Sequence, residues 1–209
     1  KEDILIMHRN ILILGASQMQ VPAIMAAKAM GWTTIVVDAN PNAMARDLAH
    51  HFEQVDLADP SAMAAMARRY RDRNGLDGVF TAGTDFSATV AFVAQELGLP
   101  GNTHEAALNA SIKSRMRACF AKAGVPSPKF ISLGPDDLVD AETLDYPLVV
   151  KPVDSMGARG ASKVSGPDGL KAASLDMGNE LTFAVSEAGV KVDAANVVTA
   201  DIEASNGVI

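Results

Sequence analysis

Short apolar, β-branched runs alternate with helical stretches over residues 10–100, and this alternation limits the fold more than any other feature of the chain. Asn10–Leu14, Thr33–Val37, Phe52–Val55 and Gly78–Thr81 read as strands. A helix from about Val21 to Met30, ended by Gly31, separates the first two. Asp59-Pro60 supplies an N-cap acid and a first-turn proline for a second helix, which runs to Arg73 and stops at Asn74-Gly75. A third is expected from about Phe86 to Leu97. Strands that alternate with helices in this way form a doubly wound parallel sheet. At 209 residues and 48% hydrophobic, the chain has apolar surface enough for one large domain or two small ones.

Sheets of this kind bind ligands at the carboxyl ends of their strands. Gly15-Ala16-Ser17-Gln18 follows the first strand at the phosphate-loop position, and Asp38 ends the second. The dinucleotide fingerprint is incomplete, because Ala16, Ser17, Gln18, Met19 and Gln20 contain neither the second nor the third glycine. A nicotinamide-dependent oxidoreductase built on Gly15 and Asp38 is therefore an alternative with little support. The simpler role of Asp38 is to brace the turn Ala39-Asn40-Pro41-Asn42. Gly83-Thr84-Asp85 follows the fourth strand and fits a ligand-binding loop or a helix start equally well.

Beyond residue 100 the pattern changes. A short helix is expected near Glu105 and a longer one over Lys113–Ala123, closed by Gly124, Pro126 and Pro128. Lys113, Arg115, Arg117 and Lys122 cluster on it, as a solvated face or facing a phosphate. Lys129–Ser132 reads as a strand and Pro135–Asp140 as a helical turn. Then comes Tyr146-Pro-Leu-Val-Val-Lys-Pro-Val-Asp-Ser-Met-Gly-Ala-Arg-Gly160. Leu148–Val150 is expected to be a buried strand, and an ammonium at Lys151 behind it is costly unless an anion meets it. The loop with Gly157 and Gly160 can turn backbone N–H groups toward a phosphate, and Ala161–Val164 resumes an extended pattern.

A net charge of −7 argues against a general binder of nucleic acid or anionic membrane. No stretch approaches the roughly 20 apolar residues of a membrane span. The start of the chain has acids where a signal peptide has basic residues. The single cysteine, Cys119, is expected to be a small core residue, and a cytoplasmic location is expected. His8, His50, His51 and His104 lack the spacing of a metal site. Arg68, Arg69, Arg71 and Arg73 read as a solvated helix end that complements the dipole.

Taken in order, these motifs resemble the front of an ATP-grasp ligase, of the branch that includes biotin carboxylase and carbamoyl phosphate synthetase. Ile11-Leu-Ile-Leu-Gly-Ala-Ser17, Val36-Val-Asp38, Gly83-Thr-Asp85 and Leu97-Gly-Leu-Pro-Gly101 are similar to the family's Rossmann-like front domain. Lys113-Ser-Arg-Met-Arg117 with Ala123-Gly-Val-Pro126 resembles its linker helix, and Tyr146–Pro152 with Ser155–Gly160 its phosphate-loop hairpin. The resemblance implies a Rossmann-like domain over residues 1–110 and an incomplete α+β ATP-grasp lobe over 111–173. It implies that Lys113, Lys151, Ser155, Met156, Gly157, Ala158, Arg159 and Gly160 hold ATP. Gly15, Ser17, Gly83, Thr84 and Asp85 would then meet a small carboxylate substrate. ATP would phosphorylate the carboxylate, and an amine would attack the acyl phosphate. Magnesium is implied as well, with ligands on a second lobe that this sequence does not show, so the chain alone is expected to be inactive. Pairing of front domains into a homodimer is implied in the same way.

Residues 174–209 depart from that pattern. Glu180–Val185, Gly189–Val192 and Asn196–Ile202 read as strands. Asn206-Gly207 signals a hairpin turn whose second strand is expected to be missing. Leu175–Phe183, Gly189–Val198 and Thr199–Ile209 resemble the closing part of a fasciclin-like adhesion domain. A non-catalytic binding or adhesion module is the third alternative, and it expects a secretory signal.

Overall fold

The computed structural model describes residues 8–132, 145–155 and 160–166, together with the backbone of short strand segments between 183 and 208. The chain forms two compact units, Lys1–Ser127 and Pro128–Ile209.

In the first unit β1 (Asn10–Leu14), β2 (Thr33–Asp38), β3 (His51–Gln54) and β4 (Gly78–Phe80) form one parallel sheet in the order β3-β2-β1-β4. Asn10 lies opposite Thr33 and Leu14 opposite Val37, so β1 and β2 end level. Side chains alternate between the faces. Leu12, Leu14, Ile35 and Val37 point one way, against Met63, Met66 and Ala67 of α2 (Pro60–Asn74) and Val93 of α3 (Ser87–Glu96). Ile13 and Val36 point the other way, against Ile24 of α1 (Val21–Ala29). Helices therefore cover both faces, as expected for a doubly wound sheet.

The helix boundaries follow local chemistry. Asp59 accepts a hydrogen bond from the Ala62 amide at 2.9 Å, and Pro60 opens α2. Gly31 and Gly75, both at φ +74°, end the connections from α1 and α2. The arginines of α2 are surface groups: Arg68 pairs with Glu96, and Arg69 lies 3.6 Å from Glu53. Thr103 caps α4 (His104–Ser111), and α5 (Lys113–Lys122) follows after Ile112. No residue of α5 is buried, and Cys119 is exposed rather than in the core. The reason is that α5 leans chiefly on α4, which leaves its remaining faces outside.

In the second unit β5 (Leu148–Val150) and β6 (Ser162–Val164) form an antiparallel hairpin, with Leu148 opposite Val164 and Val150 opposite Ser162. The expected burial of β5 is corrected here. Val149 is 67% exposed, and Leu148 and Val150 are half-buried. A two-stranded sheet has no second layer of its own to cover its outer face. Lys129–Ser132 is not a strand, since no ladder runs beside it among the described residues. The helical turn expected at Pro135–Asp140 lies outside the described residues.

In the tail β7 (Phe183–Ser186), β8 (Gly189–Val192) and β9 (Ala195–Asn196) form a meander. β10 (Glu203–Ala204) pairs with β11 (Gly207–Val208), so the last hairpin does have its second strand. Ladders of two to four residues occur in many β folds and lend the fasciclin resemblance no support.

Candidate substrate loops and phosphate hairpin

The carboxyl ends of β1, β2 and β4 carry the first group of candidate residues. Gly15, at φ +93°, donates its N–H to the Val37 carbonyl at 2.8 Å. The Ala16 N–H donates to Asp38 Oδ2 at 2.8 Å, and Asp38 Oδ1 accepts from the Asn40 N–H at 2.9 Å. Asp38 thus braces its turn and also ties it to the first loop. Two amides that a dinucleotide phosphate loop would turn outward are used inward, one of them by a carboxylate. That arrangement disfavours a phosphate at this point. Ser17 is exposed at the rim.

The loop after β4 is fastened from within. Thr81 donates its hydroxyl to the Leu14 carbonyl at 2.9 Å, which leaves Thr84 to donate to Thr81 Oγ1 at 2.8 Å. Thr84 Oγ1 also accepts from the Phe86 N–H at 3.2 Å, just ahead of α3. Thr84 therefore organises the helix start, whereas Gly83 and Asp85 lie exposed beside it. Gly83, at φ +59°, sits under the Met19 side chain, and a Cβ there would meet Met19 Cε at 2.7 Å. The structure thus brings Gly15, Gly83 and Thr84 into two joined loops.

Sequence reasoning passed over Gln20. Its side chain is fully buried. Nε2 donates to the Ala82 carbonyl at 2.6 Å and Oε1 accepts from the Ala82 N–H at 3.0 Å. The available signal was a glutamine at the third-glycine position, between the apolar Met19 and Val21.

The phosphate-hairpin residues belong to the other group. Lys151 follows β5 and is exposed, so an anion can reach its ammonium without burying it. Ser155 is half-buried. Gly160, at φ +68°, closes the loop against Pro152, whose Cγ would lie 2.8 Å from a Cβ at that position. Only glycine fits there, on conformation and on space. Met156, Gly157, Ala158 and Arg159 lie outside the described residues. Lys113, in the first unit, is half-buried at the start of α5. Among the described residues no three His, Cys, Asp or Glu side chains converge as a metal site would require, and no helix is long and apolar enough to cross a membrane.

This architecture matches known proteins. Residues 24–101 match the family described as ATP-grasp N-terminal domain. The chain has the fold of the front part of ATP-grasp ligases. Among solved structures it is similar to an L-amino acid ligase from Bacillus licheniformis, at 23% identity and a TM-score of 0.64, over 80% of this chain and 42% of that one. It is also similar to N5-carboxyaminoimidazole synthetase from Staphylococcus aureus in complex with ADP, at 18% identity and a TM-score of 0.65, over 84% of this chain and 48% of that one. Among curated relatives, the formate-dependent phosphoribosylglycinamide formyltransferase of Cupriavidus necator is 26% identical over 78% of this chain. The enzyme of the same name from Mycolicibacterium vanbaalenii is 29% identical over 78% of this chain. The chain spans about 41% of the length of the first of these relatives and 42% of the second.

Proposed function

We propose that this chain is the nucleotide-handling front part of an ATP-dependent carboxylate–amine ligase. The observation that carries the reading is the hairpin. Strand β5 delivers Lys151 into a loop that Gly160 closes against Pro152 before β6 returns, in a chain that has the fold of the front part of ATP-grasp ligases. The Lys151 ammonium would meet phosphate oxygens of ATP, and the loop over residues 155–160 would fold across them.

Lys113 supports the same reading. The first turn of α5 carries Lys113 and Arg115 and no acid. The resemblance to the ATP-grasp family implies a cation that meets ATP phosphate at the start of this helix.

The chemistry ATP would supply is phosphorylation of a carboxylate, which an amine then attacks. The chain's own part is to hold charge: Lys151 and Lys113 neutralise phosphoryl oxygens, and Ser17, Gly83 and Asp85 form the rim that meets the small substrate. The formate-dependent relatives make a carboxylate of formate's kind the first to try. Magnesium belongs to the same reading, where it would offset charge on the same phosphoryl oxygens, and none of the residues named here is assigned to hold it. A homodimer in the cytoplasm belongs to the same reading.

The test is an equilibrium titration of the 209-residue chain with ATP and, separately, with NADH. ATP is expected to bind, without turnover by this chain alone. Lys151→Ala should weaken binding by about ten- to a hundredfold, the size of a lost charge-assisted contact. Tighter binding of NADH, lost on changing Asp38, would overturn the reading.

A further inference from the structure

We propose that Gln20 is a positioning residue. Its buried carboxamide fastens the loop after β4 to the loop after β1, so that Gly83-Thr84-Asp85 is held as a pre-assembled rim. The rim's contact with substrate rests on the function proposed above; the fastening does not.

A fully buried primary amide is costly unless its hydrogen-bonding groups are met. Gln20 meets one residue twice, donating to the Ala82 carbonyl at 2.6 Å and accepting from the Ala82 N–H at 3.0 Å. The pair imitates one rung of a β-ladder between segments 62 residues apart in sequence. β4 ends at Phe80 and takes no further part in the sheet, so the side chain continues the pairing where the backbone stops.

Two glycines accommodate this link. Gly15 and Gly83 have φ of +93° and +59°, a backbone conformation that favours glycine, and they lie in ordinary contact with the Gln20 side chain and under the end of the Met19 side chain respectively. Met19 and Gln20 thus hold adjacent residues of the β4 loop, one by packing and one by hydrogen bonding. Gln20 stands where a dinucleotide fold has its third glycine. The place that would let the helix pack closely on the strand is here occupied by a clamp between loops.

The test compares two variants by residue-resolved hydrogen exchange. Gln20→Leu removes both bonds at about the same volume. It should accelerate exchange at Ala82 and through residue 86 by about tenfold or more, while the Gly15 amide, bonded to Val37, stays protected. Gln20→Glu supplies a rescue. A protonated carboxyl can donate to the Ala82 carbonyl and accept from its N–H, whereas an ionised one can only accept. Protection relative to the unchanged protein at the same pH should therefore return as pH falls, in this variant and not in Gln20→Leu. Unchanged exchange at Ala82 in Gln20→Leu would overturn the proposal. So would equal acceleration of every amide in the sheet, or a Gln20→Glu variant whose loop protection ignores pH. Nucleotide binding at the hairpin plays no part in these readouts, so the two proposals fail separately.

Discussion

The front sheet and the phosphate hairpin are both built from short runs of valine, leucine and isoleucine, yet they are stabilised differently. In the sheet Leu14, Val36 and Val37 are fully buried between helices. Burying each such side chain contributes about 1.5–3 kcal/mol, so the sheet needs no ligand to hold its shape. In the hairpin Val149 is largely exposed and its two neighbours are half-buried. Its other face is covered, with Val164 only 3% exposed opposite Leu148, so that buried side holds the hairpin together with three cross-strand pairs. The contrast teaches that the same apolar residues give a sheet covered on both faces in one unit and, among the described residues of the other, a hairpin with one face open to solvent.

The largest expected effect sharpens that contrast. Leu14→Ala should lower the unfolding free energy by about 2–5 kcal/mol, whereas Val149→Ala should change it by less than about 0.5 kcal/mol. Urea denaturation of both variants decides this, and similar losses would erase the distinction. Next comes Asp38→Asn. The amide keeps one acceptor oxygen, so either the Ala16 or the Asn40 N–H loses its partner. About 1–3 kcal/mol of stability should go, with ATP affinity unchanged. A loss of ATP affinity would mean that the first loop, and not only the hairpin, holds the nucleotide.

The smallest effect is a pH dependence confined to the sheet. Desolvation of the ring lowers the His50 pKa from 6.5, with Lys28, His51 and His8 adding to it. His50 Nδ1 also accepts the Thr34 N–H at 3.0 Å, a bond that needs the nitrogen unprotonated. The unfolded chain therefore takes up this proton first. The stabilisation is fully present above pH 6.5 and is lost as pH falls toward the folded-state pKa. Urea midpoints at pH 7.5 and 5.5 should show this fall, and His50→Gln should flatten it.

Much of the front unit was legible in the letters because its signals are local. A β-branched run followed by glycine placed β1, the Asp59-Pro60 pair placed the start of α2, and an acid before Ala39-Asn40 placed the brace at Asp38. What was not legible depends on distant partners. Leu148-Val149-Val150 spells a buried strand or half of an open hairpin equally well, and what packs over it decides. Cys119 sits in a helical pattern that fits a core, but α5 leans mainly on α4. Gln20 binds a backbone 62 residues away, and no periodicity announces that. In the hairpin, the sequence placed Lys151 just after the strand and Gly160 just before the return strand, and the exposure of Val149 removes one argument for an anion at Lys151.

The most direct measurement of the central claim is hydrogen exchange of residues 146–165 with and without a non-hydrolysable ATP analogue, in the unchanged protein and in Lys151→Ala. The account predicts protection of the hairpin in the first and its loss in the second, while β1 and β2 exchange alike in both. Protection that persists without the lysine, or that falls on the β1 loop instead, would contradict it.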